Sequence, residues 1–361
     1  MPSRGQVLCV AGEASGDAIL APVVEVIRGL GCDAIGVGGD AAAARGLEVL
    51  AHARDVAGHG IVEAVHTLPA VWRAWRAISA RLPAARAVVL VDFPEVNLRL
   101  LRRAAGLGVP VVYLAPPQAW AWRAWRAREL AAARWVGCLL PFEAAWYRAR
   151  GVAAVCVGHP LAARGALPVA AGPGVALLPG SRIAAVRRLL PIQLAAAARL
   201  ARRVAGLTVH VGVAATVDRG EVAAAFAAAG LRGAVHAGAD AALARAAVAI
   251  AGAGTATLHA ALAGRPVVTM AALHPVSAAV ARRWVRVEHV GLPNLVLGRR
   301  VFPEVVLDDC TPAAVAAAVE LLLRAPGSLD GALAELRRRV TVPDGAARVA
   351  GWVAEAVGAR G

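Results

Sequence analysis

Residues 6–17 read QVLCVAGEASGD, and residues 174–182 read GVALLPGSR. In both stretches a short apolar run ends at a turn that contains glycine, and a pattern with helical period follows. This order predicts a buried strand, a tight turn and a helix in each half of the chain.

Apolar runs of the same kind recur between longer stretches rich in Ala, Leu and Arg. Beyond 6–11 and 174–178, the predicted strands are 34–37, 87–92, 110–114, 136–140, 153–157, 207–213, 234–236, 248–251 and 265–270. Alternating strands and helices favour parallel sheets covered by helices on both faces. The sequence therefore predicts an α/β protein with two Rossmann-like, doubly wound parallel sheets. The Gly- and Pro-containing stretch 163–173 predicts a linker between them.

The composition excludes several classes of protein. Apolar residues make up 59% of the 361 residues and charged residues 17%, which excludes a disordered chain. Five cysteines without a C-x-x-C pair exclude a disulfide framework and a cysteine-based zinc site, and they fit a reducing cytosol. Residues 1–12 do not have the pattern of a signal peptide, and glycines interrupt the uncharged run 246–264. We therefore expect a cytoplasmic protein without a membrane-spanning segment.

The charge balance predicts an affinity for anionic surfaces. The sequence has 39 basic residues, all of them Arg, against 24 acidic ones, a net charge of +15. Trp and Arg are interleaved in two segments, one with Trp72 and Trp75, the other with Trp120, Trp122 and Trp125. Such segments suit a bilayer interface or stacking on nucleic acid, and partly buried Trp beside solvated Arg would give the same pattern.

Two loops after predicted strands of the first half carry polar residues. In 11–17, Gly12 and Gly16 allow a tight turn, and Ser15 or Asp17 is expected to cap the next helix. The second loop begins at Asp92, which Glu95 and Asn97 follow. A carboxylate at the end of a buried parallel strand can act as a general base, and capping of the following helix is the structural alternative.

Three loops of the second half suggest a phosphate or nucleotide site. In 177–182, Gly180 permits a close approach of the backbone, Ser181 is expected to begin a helix, and Arg182 supplies a cation suited to a diphosphate. The stretch 251–257 is a second glycine-rich turn between a strand and a helix. In 291–295, Asn294 is either a hydrogen-bonding group at a ligand or a turn residue.

No metal site is expected. His52, His59 and His66 are spaced by seven residues, but no H-E-x-x-H motif and no cysteine accompanies them. The sequence also has no G-x-S-x-G motif.

These loops resemble, in order, the motifs of the lipid-A-disaccharide synthase family. The matching stretches cover nearly the whole chain and are 11–17, 60–65, 92–98, 119–123, 140–143, 157–160, 177–182, 253–256 and 291–295. The resemblance implies a GT-B fold with two domains around a cleft. It implies an N-terminal acceptor and membrane-side domain at 1–165, a nucleotide-sugar domain at 166–340, and a C-terminal helix at 341–361 that crosses back to the first domain.

The resemblance also implies an activity. Family members are inverting, metal-independent glycosyltransferases that join UDP-2,3-diacylglucosamine to 2,3-diacylglucosamine 1-phosphate and release UDP. They are peripheral at the cytosolic face of the inner membrane. Acylated sugars and an anionic membrane surface are thus the expected partners, with no cofactor and no specific nucleic acid, and a homo-oligomer is compatible with this interpretation.

Site residues follow from the matched motifs. Asp92 matches the proposed catalytic base, and Arg182 matches the arginine at the diphosphate. The expected sugar-binding residues are Glu13, Ser15, Gly16, Asp17 and Asn97. The expected nucleotide-binding residues are Gly180, Ser181, Arg182, Gly254, Thr255, Ala256, His259 and Asn294. The segments in which Trp and Arg are interleaved supply the expected membrane or acyl contacts, Trp72, Trp75, Trp120, Trp122 and Trp125.

The chain departs from the family pattern at three places. His259 stands where the family has a glutamate that can accept hydrogen bonds from a ribose diol, and a neutral imidazole can accept only one. Residues 38–41 read GGDA in place of a Gly-Pro-Arg-Met-like stretch, and Leu273-His274 replaces a Tyr-Arg/Lys step. Two alternatives therefore stay open: a GT-B enzyme with another nucleotide sugar or acceptor, and a basic protein that binds lipid or nucleic acid with little catalysis.

Overall fold

The computed structural model describes residues 5–56, 61–168, 172–272 and 288–360, with the backbone alone described for 61–68. The chain forms two compact units, Met1–Pro160 with Val342–Gly361, and Leu161–Thr341. Each unit contains one parallel sheet with helices in the connections between strands. The predicted α/β class with two Rossmann-like sheets is confirmed.

The first unit holds the larger sheet. Its strands are β1 (Gln6–Ala11), β2 (Asp33–Gly38), β3 (Glu48–His52), β4 (Ala85–Val91), β5 (Val111–Leu114), β6 (Trp135–Cys138) and β7 (Ala154–Cys156). They lie in the order β3-β2-β1-β4-β5-β6-β7, and each neighbouring pair is parallel. The α-helices described in this unit are α1 (Ala14–Gly29), α2 (Asp40–Ala43), α3 (Ala53–Val56), α4 (Ile61–Arg81), α5 (Pro94–Gly106) and α6 (Pro141–Arg148). A 3₁₀ stretch at Ala124–Ala132 follows β5.

The second unit repeats this plan with a smaller sheet. Its strands are β8 (Gly174–Leu178), β9 (Thr208–Val213), β10 (Gly233–Ala237), β11 (Val248–Gly252), β12 (Val267–Ala271) and β13 (Glu304–Val306), in the order β10-β9-β8-β11-β12-β13. Its described α-helices are α7 (Ile183–Ala201), α8 (Arg219–Ala228), α9 (Ala239–Leu243), α10 (Thr255–Leu262), α11 (Leu292–Leu297), α12 (Pro312–Arg324) and α13 (Asp330–Val340). The last helix of the chain, α14 (Gly345–Gly358), belongs to the first unit.

Strands at the centre of each sheet are apolar because helices cover both of their faces. In the first unit Val7–Ala11 and Ala87–Val91 are fully buried. Residues of α1 and α14 form the core on one face, and residues of α4, α5 and α6 form the core on the other. In the second unit, β8 and β11 are likewise buried along their whole length. The turns that follow these central strands occupy the carboxyl edge of each sheet, where α/β proteins place ligands.

Two strands were not predicted. They are β3 and β13, which lie at edges of the two sheets and are partly polar. Helix α4 begins at Ile61, so Pro69 lies inside the helix.

The chain passes into the second unit between Pro160 and Leu161, a few residues ahead of the predicted boundary. Contacts of residues 161–165 explain this position. The Arg164 side chain donates to Asp240 Oδ2 at 3.1 Å, and the Arg337 side chain donates to the Ala162 carbonyl at 3.1 Å. These bonds attach the segment after Pro160 to the second unit.

Candidate active site

The turns after β1 and β4 lie side by side, since the two strands are parallel neighbours. Gly12 passes directly under the ring of Phe93: a Cβ atom at position 12 would lie 2.4 Å from a ring carbon. Only glycine fits this approach. The structure therefore brings together the two polar loops that the sequence singled out in the first half.

Asp92 lies at the carboxyl end of β4 in an uncommon backbone conformation. Asp92 and Phe93 both have φ of 48°, in the left-handed region that residues with a Cβ seldom adopt. Such a conformation costs about 1–3 kcal/mol per residue and persists only where the surroundings impose it. Here Tyr113 imposes it in part, because its hydroxyl donates to the Asp92 carbonyl at 2.8 Å. The Asp92 side chain is half-buried at the edge of the sheet.

Asn97 supplies the other support of this loop. Its side chain is fully buried, and its amide nitrogen donates to the carbonyls of Asp92 at 2.7 Å and Val91 at 3.2 Å. The same nitrogen lies 3.4 Å from the Val10 carbonyl at the end of β1. Asn97 contacts the backbone beneath Asp92 and fixes the position of the loop, and its expected contact with a sugar stays a prediction.

The loop 11–17 differs from its predicted capping pattern. Helix α1 begins at Ala14, and its N-cap residue Glu13 makes no side-chain capping hydrogen bond. The prediction that Ser15 or Asp17 caps α1 is wrong, because both lie within the helix. Asp17 is buried and accepts hydrogen bonds from the N–H groups of Gly39 (2.6 Å), Ala41 (2.9 Å) and Ala42 (3.2 Å), so it fixes the start of α2. Ser15 is exposed, Glu13 is half-buried, and Gly16 is buried against Val91.

Glu143 is a buried carboxylate that the sequence analysis did not select. Its side chain accepts hydrogen bonds from Trp120 Nε1 (3.1 Å) and from the backbone N–H of Leu140 (3.1 Å). Burial raises the pKa of Glu143 to about 7, hydrogen bonds with Trp120 and with the backbone of Leu140 and Leu139 oppose this rise, and the charge of Asp92 adds to it. Glu143 and Asp92 therefore interact electrostatically. The stretch Leu140-Pro141-Phe142-Glu143 was the available signal.

The Trp- and Arg-rich segments present part of their aromatic surface to solvent. Trp72, Trp122 and Trp125 are 58%, 47% and 62% exposed, whereas Trp75 and Trp120 are half-buried. Arginine guanidinium groups lie over several of the rings, for example Arg123 over Trp122 at 4.1 Å. This is the pairing of exposed rings and cations that an anionic interface would engage.

In the second unit the two glycine turns also lie side by side, because β8 and β11 are neighbours. Gly180 and Gly254 have φ of +115° and +129°, which glycine adopts without strain. Helix α7 begins at Ile183 with Arg182 at its N-cap, so the prediction that Ser181 begins the helix is wrong. The Ser181 carbonyl instead accepts a hydrogen bond from the Thr216 hydroxyl at 2.6 Å, which ties the turn to the loop after β9.

Helix α10 begins at Thr255, one residue after Gly254, and Ala256 is half-buried in its first turn. The Thr257 hydroxyl donates to the Gly254 carbonyl at 2.7 Å and fixes the turn. The N-termini of α7 and α10 thus occupy the same edge of the sheet. Unpaired N–H groups and the positive end of the helix dipole make such termini binding sites for phosphate. Exposed Arg182 adds a full positive charge at the first of them.

His259 has a carboxylate neighbour that the sequence did not reveal. Its Nε2 lies 2.5 Å from Asp240 Oδ1, and Asp240 Oδ2 accepts from Arg164 at 3.1 Å. The three side chains line a cavity of about 310 Å³ within the second unit, with Leu161, Gly165, Leu167, Leu262 and Ala263 as its other lining residues. A carboxylate, an imidazole and a guanidinium around an apolar floor can bind the hydroxyl groups of a ribose.

Asn294 lies in helix α11 and not in an open loop. Its side chain is fully buried, and its nitrogen donates to Phe302 O (2.8 Å) and Glu304 Oε1 (2.9 Å). Its oxygen accepts from the N–H groups of Val301 and Phe302, both at 2.9 Å. Every hydrogen-bonding position of this amide is occupied, so Asn294 shapes the chain around α11, and a contact with a nucleotide stays a prediction.

Several residues discussed in the sequence analysis lie outside the described part of the structure. His59, Gly60 and Leu273-His274 are not described, nor are the side chains of 61–68, among them His66. Within the parts of the chain that are described, no three His, Cys, Asp or Glu side chains gather as metal ligands would. No helix in those parts has the length and apolarity that crossing a bilayer requires.

The arrangement in the two units defines a class of protein. Solved structures with the same fold include CalG4, the calicheamicin glycosyltransferase (TM-score 0.63, 17% identity, 99% of each chain). They also include MurG from Acinetobacter baumannii (TM-score 0.56, 14% identity, covering 98% of this chain and 99% of the other). The fold is that of the GT-B glycosyltransferases.

Sequence comparison assigns the family within this class. Residues 7–328 match the model of the lipid-A-disaccharide synthetase family, and the chain belongs to that family. It is 36% identical to the lipid-A-disaccharide synthase of Myxococcus xanthus, over 98% of each chain. It is 38% identical to that of Anaeromyxobacter dehalogenans strain 2CP-1, over 92% of this chain and 91% of the other.

Proposed function

We propose that the chain transfers 2,3-diacylglucosamine from UDP to the 6-hydroxyl of 2,3-diacylglucosamine 1-phosphate, with inversion at the anomeric carbon. The products are the disaccharide 1-phosphate of lipid A and UDP. The observation that carries the proposal is the family match over residues 7–328, in a chain with the GT-B fold. It is a hexosyltransferase of lipid A biosynthesis.

Asp92 is the proposed general base. In the reaction the acceptor hydroxyl attacks the anomeric carbon, its proton passes to the carboxylate, and the bond from that carbon to the UDP oxygen breaks. A carboxylate suits this task because it accepts the proton as the oxygen becomes nucleophilic. The position of Asp92 at the carboxyl edge of its sheet supports this role, as does its backbone, held by Asn97 and Tyr113.

The leaving group acquires negative charge as the bond breaks. We assign its stabilisation to the turn at Gly180, the N-terminus of α7 and the guanidinium of Arg182, with the turn at Gly254 and Thr255 as a second phosphate-binding element. Cations and oriented N–H groups lower the energy of a transition state in which charge develops on phosphate oxygens. This assignment uses residues of the chain alone, with no metal ion.

His259 and Asp240 are assigned to the ribose. The family has a carboxylate at position 259, and in this chain the Asp240 carboxylate lies 2.5 Å from the imidazole that replaces it. The pair thus restores an anionic acceptor in the cavity. Imidazole and carboxylate together can accept the two hydrogen bonds of a ribose diol.

The exposed rings of Trp72, Trp122 and Trp125 are assigned to the membrane surface and to the acyl chains of the substrates. Trp at the headgroup level and Arg beside it suit a peripheral protein on an anionic leaflet. We therefore place the protein at the cytosolic face of the inner membrane.

The experiment is a direct assay. The purified protein is incubated with both acylated sugars, and UDP and the disaccharide are measured. We expect transfer by the wild type and a loss of roughly a hundredfold or more in Asp92→Asn, because the amide cannot take up the proton. Asp33→Asn is the matched control, since Asp33 is paired with Arg28 on the surface of the same unit. Absence of UDP release from the wild type would contradict the activity, and an unchanged rate in Asp92→Asn would contradict the role of Asp92.

A second candidate is a GT-B enzyme that uses another nucleotide sugar, and the replacement at His259 favours it. A panel of nucleotide sugars separates the two. Binding of UDP-diacylglucosamine no tighter than that of UDP-N-acetylglucosamine would support the second candidate, and clear preference for the acylated donor would support the first.

A further inference from the structure

Glu143 occupies an unusual position for an acidic side chain. It lies in the first turn of α6 and is 5% exposed. Its Oε2 accepts from the backbone N–H of Leu140, and its Oε1 accepts from Trp120 Nε1, both at 3.1 Å. Both oxygens therefore act as acceptors from N–H donors, the arrangement that suits the ionised form.

Helix α6 holds the segment 116–123 at more than this one point. The Tyr147 hydroxyl donates to the Pro117 carbonyl. The Phe142 ring packs edge-on against the Trp120 ring, with centroids 4.9 Å apart. Three side chains of one helix thus contact the segment, and Glu143 is the charged one among them. Beyond Trp120 the segment continues to Trp122, whose ring is 47% exposed.

The residues directly after segment 116–123 are joined to the loop of the proposed base. Arg126 is buried and pairs with Glu95 at 3.1 Å, and Glu95 lies in the first turn of the helix that follows Asp92. The Arg126 guanidinium also lies 6.0 Å from the Trp122 ring and 5.7 Å from the Trp125 ring. A displacement of segment 116–123 would therefore disturb the exposed rings of Trp122 and Trp125, and it would disturb helix α5, which follows Asp92.

We infer that Glu143 is a positioning residue for the acylated acceptor: its ionised carboxylate holds Trp120, and with it the segment 116–123, beside the loop of Asp92. This inference rests on the proposed function for the identity of the ligand, a sugar that carries acyl chains. The exposed rings that follow Trp120 are the apolar surface that such chains would contact.

Because Glu143 is buried, its hydrogen bond with Trp120 is expected to depend on pH. Burial raises the pKa of Glu143 to about 7. The ionisable groups that face it are Asp92, Cys138 on β6, Tyr147 on its own helix and Cys156 on β7. A proton on either oxygen would point at an N–H donor, so one of the two hydrogen bonds is lost. The segment is held above pH 7 and loosened below it.

Kinetics across pH provide the first test. In the wild type we expect the KM for 2,3-diacylglucosamine 1-phosphate to rise roughly tenfold as the pH falls from 8 to 6, because most Glu143 side chains become protonated over this range. In Glu143→Gln we expect KM to be raised by about tenfold at pH 8 and to stay constant down to pH 6, with a smaller change in kcat. Glu355→Gln, at an exposed ion pair with Arg134 in the same unit, is the control and should behave as the wild type. A Glu143→Gln enzyme with the wild-type KM and pH profile would overturn the inference.

A second test does not require activity. Hydrogen–deuterium exchange of the amides in 116–123, corrected for the intrinsic effect of pH, should be faster at pH 6 than at pH 8 in the wild type. Trp120→Phe removes the donor but leaves Glu143 to cap α6, so it should show fast exchange at both pH values even if Glu143→Gln does not fold. Equal protection of segment 116–123 in Trp120→Phe and in the wild type at pH 8 would refute the inference that the Glu143–Trp120 hydrogen bond holds this segment. Faster exchange of segment 116–123 at pH 6, in a wild-type protein that transfers no sugar, would support the role of Glu143 in holding the segment. The same result would contradict the proposed function.

Discussion

Truncation of Asn97 tests the account of the Asp92 loop most directly. The Asn97→Ala change removes an amide that donates to the carbonyls of Asp92 (2.7 Å) and Val91 (3.2 Å) at the end of β4. The Tyr113 hydroxyl still donates to the Asp92 carbonyl, so that oxygen keeps one partner. The Val91 carbonyl loses the amide, and a small cavity is left beneath the loop.

The expected loss of stability follows from these contacts. Two hydrogen bonds at about 1 kcal/mol each, with the added cost of a buried carbonyl that loses a partner, give roughly 2–3 kcal/mol. We also expect Asn97→Ala to lower kcat strongly. Asp92 and Phe93 both have φ of 48°, and without Asn97 the loop can relax to an ordinary conformation. If Asp92 is the base, a displacement of its carboxylate by about 1 Å is enough to lower kcat roughly a hundredfold.

Unfolding in urea, followed by tryptophan fluorescence, measures the first effect. It reports mainly on the first unit, which contains eight of the nine Trp residues. UDP release measures the second effect. Gln193→Ala is the matched control, because Gln193 is a buried amide that donates to the Ile250 carbonyl at 3.3 Å in strand β11 of the second unit. It should destabilise its own unit and leave kcat within about twofold. An Asn97→Ala protein that loses stability but keeps the wild-type kcat would refute the view that Asn97 positions Asp92.

Three further outcomes are expected. Asp240→Asn should weaken UDP binding, measured by calorimetry, by about three- to tenfold, because an amide is a poorer acceptor than a carboxylate; unchanged binding would exclude Asp240 from the site. Replacing both Trp122 and Trp125 by Ser should reduce co-sedimentation with anionic vesicles several-fold, and because both rings are exposed the melting temperature should stay within a few degrees. The raised pKa of Glu143 means that the folded state binds its proton more tightly than the unfolded state does. The free energy of unfolding of the wild type relative to Glu143→Gln is therefore greatest below pH 4.5, and it falls by about 3 kcal/mol as the pH rises through 7. Urea titrations that give the same difference in unfolding free energy between the two proteins at pH 4.5 and at pH 8 would contradict this.

Buried strands were the part of the fold that the sequence predicted best. The bounds 6–11 and 174–178 agree with β1 and β8 because helices cover both faces, so every position is apolar. The edge strands β3 and β13 lack this signal. Each of them begins with a glutamate, and their pairing with β2 and β12 depends on the rest of the sheet.

The site was predicted at the level of loops rather than of side-chain contacts. The polar turns after β1 and β4, and the glycine turns after β8 and β11, were all selected because they follow buried strands. The partners of individual side chains were not predictable, because they are distant in sequence: Asp17 bonds to residues 39–42, and His259 lies against Asp240. Glu143 was missed for the same reason, since its burial depends on Trp120 and on strands β6 and β7.

The last helix, α14, has a consequence for how the protein is made. Val349, Val353, Ala356 and Val357 complete the core on one face of the first sheet, yet the whole second unit precedes them in the chain. On the ribosome, the N-terminal unit is translated first but exposes that apolar face until the final residues emerge. The second unit can complete its folding before the first unit does. The order in which the two units finish folding is therefore the reverse of the order in which they are synthesised.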